Sequence, residues 1–564
     1  MNDPKLIQFG QTLIDAEIVT AEQWKAALER KKATDLPIQK ILLDMGLVTE
    51  DESEQLLELY YGAPHVKLSE YILEREALEL VTEDICRHSN AIPMSISANE
   101  LMVAMSDPKD IVTIDTMRQL SGKDIKVVYS SPEEIAKALD MYYAGSDSVD
   151  SGLKKIARKS ESSSKKKGGE ELNILKELSE EAPVVQLVND ILVKAIQARA
   201  SDIHFEPTKS ELMVRFRIDG ILRVFLSVPL ALHPAVISRL KVMGAMDITE
   251  KRLPQDGRAE IRIRDRVIDL RMSTLPLIFG EKLVIRILDK RMAVLSLDRL
   301  GFCKDNLEKL KSLVGKAQGM ILVSGPTGSG KTSTTYAIGN KLRSIEKNII
   351  SVEDPVEYQI DLVNQVQVQP RAGLDFATSL RAILRQDPDI ILVGEIRDLE
   401  TAQMAVHAAL TGHVVLSTIH TNDSPTALTR LIDMGIPPFL IAAAVSGVIS
   451  QRLIRLICPQ CKEEYTPIPG EWESVFGMEF PVPPKVYRGI GCKNCNRTGY
   501  YGRTAVSEVM MVTEKIRTAL ITNPSSDNLV KSAKDEGLLT MRDDALIKVS
   551  DGTTTLEEIL RMNV

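Results

Sequence analysis

Apolar residues recur along this chain with two periods, the 3.6 of a helix and the 2 of a strand, and the switches between them outline its organisation. In residues 1–61 the helical period dominates and the pattern repeats. Sliding the chain until Leu13 falls on Leu42 also brings Asp15 onto Asp44, Val19 onto Val48, Thr20 onto Thr49 and Leu28 onto Leu57. Each copy reads as a short helix, a turn and a second helix opened by threonine. Thr20-Ala-Glu-Gln23 and Thr49-Glu-Asp-Glu52 both fit a capping box, in which threonine and the third residue on satisfy free helix N–H groups. Copies this small bury their apolar faces only by packing together; two unrelated amphipathic hairpins would carry a similar pattern.

From residue 62 to 144 the two periods alternate. Residues 101–105 and 125–129 predict strands and 131–141 a helix, a small α/β domain without visible chemistry. Residues 145–182 lose apolar content, and the run Glu161-Ser-Ser-Ser-Lys-Lys-Lys-Gly-Gly169 predicts a flexible linker. Its lysines could touch anionic lipid, but a solvated tether is the simpler reading. Residues 183–200 then predict a long amphipathic helix. Strands follow at 202–206, 211–218, 258–264, 267–272 and 282–288, interrupted by a helix near 234–246. This is a second α/β domain, 183–300, and from Gly301 to residue 564 the pattern turns to buried strands and helices.

Composition narrows the class. Hydrophobic residues make up 44% and charged residues 26%, as in globular proteins. At ~150 residues per domain, a chain of 564 implies about four domains. Seventy basic against seventy-eight acidic residues leave a net charge of −8, unsuited to coating nucleic acid. The start has no signal-peptide pattern, and the longest apolar stretch, 439–449, is too short to span a bilayer. Six cysteines in so long a chain are not a disulfide framework. The expectation is a cytoplasmic multidomain protein.

The chemistry concentrates after residue 320. Gly325, Pro326, Thr327, Gly328, Ser329, Gly330, Lys331 and Thr332 match the phosphate-loop pattern, between a buried strand (320–324) and a helix opening at Ser333. The glycines let backbone N–H groups converge on phosphates at a helix N-terminus. Lys331 would reach the β- and γ-phosphates of ATP and Thr332 would ligate Mg²⁺. Two acidic segments leave buried strands in the same core: Ser351-Val-Glu353-Asp354-Pro-Val-Glu357, and Gly394-Glu395-Ile-Arg-Asp398. Carboxylates at strand ends beside a phosphate loop can orient Mg²⁺ and polarise water. His413 and His420 flank another short strand; each could bond phosphate or simply cap or fill the core.

Cys458-Pro-Gln-Cys461 and Cys492-Lys-Asn-Cys495 are two C-x₂-C knuckles. Four thiolates so spaced fit tetrahedral Zn²⁺ in a structural site, while disulfides are disfavoured in the cytoplasm. Four reduced thiols without metal remain the alternative. Cys86 and Cys303 read as core residues. Arginines are frequent on the strands of the second domain: Arg215, Arg217, Arg223, Arg258, Arg271 and Arg286. Most would form a solvated face, although guanidinium groups also suit phosphate.

In this order, the phosphate loop, the acidic segments, the His413/His420 segment and the cysteine knuckles resemble the secretion ATPase superfamily, and within it the PilB/GspE group of type IV pilus assembly and type II secretion motors. The resemblance runs from about Gly62 to the C-terminus and includes residues 200–207 and Pro254-Gln-Asp-Gly-Arg258. The cysteines favour assembly motors over pilus retraction motors, which lack them. The resemblance implies a PAS-like domain at 183–300 and a RecA-like ATPase core with a zinc-binding insertion at 456–498. It implies Glu357 as the catalytic glutamate, Glu395 as the Walker B glutamate, and His413 and His420 as the His box. Arg271 and Arg286 would contact the γ-phosphate, with Arg381 or Arg385 adding another contact.

Such motors are homo-hexamers that bind ATP between two halves of the motor and turn an inner-membrane platform protein. Pilus assembly is therefore the expected task, with other cytoplasmic pilus components as partners and a peripheral position at the inner membrane. A type II secretion motor would share the chemistry. A nucleic-acid translocase is disfavoured by the acidic charge and the lack of an aromatic-basic tract. An inactive adaptor is disfavoured by the complete set of acids and arginines. The N-terminal repeat resembles a cyclic-di-GMP-binding module but has Gln8, Ala16 and Gln39 where that module has arginine or glycine. Weak or absent cyclic-di-GMP binding, and a docking role for this module, are expected.

Overall fold

The computed structural model describes residues 4–15, 18–34, 38–49, 52, 58, 61–143, 181–289, 296–477, 480, 482–483 and 485–562. The linker predicted at 145–182 lies outside them except for its last two residues, and so do Ala16 and the side chains of Gln8 and Gln39. The chain forms two compact units, Met1–Asp289 and Lys290–Val564.

The first unit opens with helices Pro4–Asp15, Ala21–Ala33 and Ile38–Asp44, packed around Phe9, Leu13, Trp24 and Ile41. Both predicted capping boxes form. Gln23 N donates to Thr20 Oγ1 (3.2 Å) and Thr20 N to Gln23 Oε1 (2.7 Å). Glu52 N donates to Thr49 Oγ1 (3.3 Å) and Thr49 N to Glu52 Oε2 (2.8 Å). Gly10 faces the Trp24 indole, and a Cβ there would lie 2.1 Å from Cε2. Helix packing alone therefore demands this glycine.

Next comes a three-stranded sheet of β1 (Ala91–Ser97), β2 (Glu100–Met105) and β3 (Asp124–Tyr129), with β1 antiparallel and β3 parallel to β2. β1 was not expected from the pattern, because Pro93 interrupts it. Pro93 is tolerated because β1 is an edge strand, irregular between Pro93 and Ser95. The larger sheet holds β4 (Ala200–Pro207), β5 (Glu211–Ile218), β6 (Ile221–Pro229), β7 (Gln255–Ile263), β8 (Arg266–Leu277) and β9 (Gly280–Asp289). They are antiparallel neighbours in the order β6-β5-β4-β9-β8-β7. Their alternation sends Ile203, Phe205, Phe216, Leu270 and Ile285 inward against helices Ala182–Gln197 and His233–Met243.

The second unit is built on β10 (Gly319–Ser324), β11 (Ile349–Glu353), β12 (Val363–Gln367), β13 (Ile390–Val393), β14 (Val414–Ile419), β15 (Val445–Ile457) and, after a small β16–β17 ladder (Lys462–Tyr465 with Val486–Gly489), β18 (Tyr500–Met511). The order is β12-β11-β13-β14-β10-β15-β18, parallel throughout except for β18. Every residue of β10, β11, β13 and β14 is buried, as expected of a sheet covered on both faces. Leu297 and Leu300 join this core. The ATPase-like unit thus begins before Gly301, where hydrophobic periodicity alone drew the boundary. Parallel strands carry their C-terminal ends to one edge, the place where α/β sheets bind ligands.

Candidate active site

At that edge β10 ends in the phosphate loop. Gly325 and Gly330 have φ of 146° and 90°. A Cβ on Gly325 would lie 2.5 Å from the Gln451 carbonyl, and one on Gly330 would lie 3.1 Å from Gln451 Nε2. Gln451, on β15, is almost fully buried; its Nε2 donates to Ser329 O (2.9 Å) and its Oε1 accepts from Thr334 Oγ1 (2.8 Å). It holds the loop and the first turn of helix Lys331–Leu342 together. No motif marks this residue, which is one of five polar positions in a thirteen-residue strand. The predicted helix start at Ser333 moves to Lys331. Thr332 and Ser333 are exposed at its N-terminus, while Pro326, Thr327 and Gly328 form the exposed crest of the loop.

Lys331 Nζ donates to the carbonyls of Gly325 (2.8 Å) and Pro326 (3.1 Å). Burial pushes its pKa down, and the charge of Glu395 opposes that shift. His420 Nδ1 lies 3.5 Å from Lys331 Nζ, and His420 Nε2 lies 3.3 Å from Glu395 Oε2. In this arrangement Nδ1 can accept from Lys331 while Nε2–H donates to Glu395. Arg397 pairs with the other oxygen of Glu395, whose side chain is 15% exposed. Lys331, His420, Glu395 and Arg397 therefore form one connected polar group beside the loop. Asp398 leaves this group: it caps helix Leu399–Leu410 by accepting from Thr401 N (2.8 Å).

The neighbouring strand β11 supplies Glu353, buried at its end, and the segment leading to half-buried Glu357. Glu353 accepts from Ser351 Oγ (2.6 Å), Gln365 Nε2 (3.0 Å) and the Tyr336 hydroxyl. Glu357 N donates to that same hydroxyl at 3.3 Å.

His413 is not part of this group. β10 and β14 are in parallel register, Gly319 with Val414 and Ser324 with Ile419. His413 thus sits at the opposite end of a six-residue strand, about 20 Å from the loop edge. Its Nδ1–H bonds Ala408 O (2.9 Å), so it caps the end of helix Leu399–Leu410. Arg381 pairs with Glu400, and Arg385 donates to Arg381 O (2.7 Å).

In the first unit, Arg258, Arg271 and Arg286 stand directly opposite one another on β7, β8 and β9. Asp202 follows in the same row, 3.4 Å from Arg286 and 3.4 Å from Arg217. Three guanidinium side chains therefore share one face of this sheet, with Asp202 beside them.

The four cysteines come together. Cys458 Sγ and Cys492 Sγ are 3.8 Å apart, Cys461 and Cys495 3.8 Å, and Cys492 and Cys495 3.7 Å. These separations far exceed a disulfide bond and match the edges of a tetrahedron around an ion at about 2.3 Å from each sulfur. Backbone N–H groups of Gly491, Cys492 and Gly499 point at Cys461 or Cys495 sulfur at 3.3, 3.1 and 3.3 Å; burial still pushes the Cys461 thiol up, whereas Cys495, which receives two of these bonds, is held down. Between the knuckles, helix Pro469–Phe476 places Trp472 and Phe476 in a core with Ile454 and Val506.

A phosphate loop on a parallel sheet, with acids at or just beyond the ends of two further strands, defines a phosphate-loop ATPase of RecA-like fold. The chain belongs to the type II/IV secretion system protein family, whose model matches residues 177–561. The MshEN domain model matches residues 61–149. The chain is 39% identical to the type IV pilus assembly ATPase PilB of Myxococcus xanthus, over 98% of each chain. It is 47% identical to the type II secretion system ATPase E of Vibrio cholerae, over 69% of this chain and 77% of that one. Among solved structures, the Legionella pneumophila ATPase DotB shares the fold, with a TM-score of 0.50 and 18% identity over 67% of this chain and 95% of that one.

Proposed function

We propose that the protein is a motor ATPase that hydrolyses ATP to drive type IV pilus assembly. The observation that carries this reading is the convergence, at one sheet edge, of the phosphate loop, Glu395 with His420, and the segment bearing Glu357. Backbone N–H groups of residues 328–332 would hold the phosphates, and Lys331 would exchange the carbonyls of Gly325 and Pro326 for β- and γ-phosphate oxygens. The exposed Thr332 hydroxyl and Glu395 are the groups suited to Mg²⁺, which supplies charge neutralisation at the transferring phosphoryl group. Glu357 orients the attacking water and accepts its proton. His420, between Lys331 and Glu395, senses the γ-phosphate. Arg271 and Arg286 keep the γ-phosphate role that the resemblance implies for them. The four cysteines hold a structural Zn²⁺.

The pilus assignment rests on the end-to-end match to the Myxococcus pilus assembly ATPase. A homo-hexamer acting on an inner-membrane platform protein from the cytoplasm fits this task. Among the described residues no helix is long and apolar enough to cross a membrane. A type II secretion motor is the second reading, supported by the 47% identity to the Vibrio secretion ATPase over 69% of this chain. Deleting the gene in its own host separates them. Loss of surface pili with normal protein secretion supports pilus assembly; normal pili with failed secretion assigns the motor to secretion. Single-stranded DNA should leave ATP hydrolysis unchanged.

A further inference from the structure

We propose that Tyr336 is a positioning residue for hydrolysis, its hydroxyl tying the phosphate-loop helix to the segment that carries Glu357. This rests on the reading of Glu357 as the hydrolytic base. Tyr336 lies on helix Lys331–Leu342 and is 5% exposed. A phenol has one proton to give and lone pairs to accept with. Here the proton goes to Glu353 Oε2, and a lone pair receives Glu357 N at 3.3 Å. Burial, and then the Glu353 charge, push the phenol pKa upward, so the hydroxyl stays a donor.

Glu353 is itself fixed. It is 6% exposed at the end of β11, and its other oxygen accepts from Ser351 Oγ and Gln365 Nε2 at 2.6 and 3.0 Å. The Tyr336 ring also packs edge-on against Tyr358, the residue after Glu357, at 6.2 Å between centroids. The helix that begins at Lys331 is therefore joined to both ends of the acidic segment through one side chain. Phosphate held by the loop and water held by Glu357 then keep a fixed separation. A displacement of about 1 Å in such a pair costs on the order of 100-fold in rate.

The test uses the full chain as Tyr336→Phe, Glu357→Gln and the double variant, measuring ATP hydrolysis, binding of a fluorescent ATP analogue and thermal unfolding. Tyr336→Phe should lower kcat by about 10- to 100-fold with nucleotide affinity kept. The double variant should be no slower than Glu357→Gln alone, because Tyr336 acts through Glu357. Wild-type kcat in Tyr336→Phe overturns the proposal, as does parallel loss of affinity and thermal stability, or a double variant slowed multiplicatively. If Tyr336→Phe does not fold, Glu353→Gln weakens the same bond from its other end. A lowered kcat at unchanged affinity supports the tie, and an unchanged kcat overturns it. Glu357→Gln hydrolysing at the wild-type rate would instead remove the reading beneath the proposal.

Discussion

Gln451 Nε2 donates to the Ser329 carbonyl at 2.9 Å, so the shape of the phosphate loop depends on a side chain from the adjacent strand β15. The same amide accepts from Thr334, one turn into the following helix. Gln451→Leu removes both bonds and leaves Ser329 O and Thr334 Oγ1 without this partner. Each bond contributes about 1 kcal/mol. ATP affinity should therefore fall by about tenfold or more, read by titration with a fluorescent analogue. Unchanged affinity would mean that the loop holds its shape without Gln451.

The two histidines should behave differently. His420→Ala removes the link between Lys331 and Glu395 and should lower kcat by about 10-fold or more. His413→Ala loses only a helix cap and should leave kcat within about twofold while lowering stability by about 1 kcal/mol. Hydrolysis rates and thermal unfolding of the two variants check this. A larger kcat loss from His413→Ala would contradict the placement.

That contrast shows how far the sequence could be read. The phosphate loop and the cysteine knuckles are local patterns, in which spacing and chemistry coincide. The capping boxes at Thr20 and Thr49 are equally local, and both form. His413 and His420 look alike in the sequence because they flank one strand. Only the direction of that strand, set by its pairing with β10, separates a loop-edge residue from a helix cap. Gln451 and Tyr336 carry no motif, because their partners lie on other elements and become neighbours only through the fold. Asp398 closes the same acidic segment as Glu395, yet its place just before a helix makes it an N-cap. Pro93 hid strand β1, and the core packing of Leu297 and Leu300 moved a boundary that periodicity does not reveal.

The cysteine cluster predicts one zinc per chain. Elemental analysis of freshly purified protein should find close to one equivalent, and Cys492→Ser should release most of it. Structural zinc can supply on the order of 10 kcal/mol of apparent folding free energy in small modules. Chelation should therefore unfold the region around Trp472, read by tryptophan fluorescence, before it affects nucleotide binding. Full zinc retention by Cys492→Ser would contradict the ligand set.

The N-terminal helices should bind cyclic-di-GMP weakly or not at all. Gly10 is accounted for by its packing against Trp24, which leaves no reason in the structure to assign it to a ligand. Gln8 lacks the charge with which arginine would pair to phosphate or guanine. Isothermal calorimetry on the full chain at near-physiological salt should show no submicromolar binding. Saturable binding at submicromolar concentration would make this motor ligand-regulated.

On the proposed mechanism the loop and Glu357 together form a working hydrolytic site. Phosphate release from MgATP by full-length Glu357→Gln, with nucleotide binding measured on the same sample and Lys331→Ala beside it, tests this most directly. The glutamine variant should bind ATP within a few-fold of wild type and hydrolyse it about 100- to 10,000-fold more slowly, the usual contribution of a positioned base. Lys331→Ala should fail at binding itself. Hydrolysis by Glu357→Gln at close to the wild-type rate would exclude Glu357 as the base.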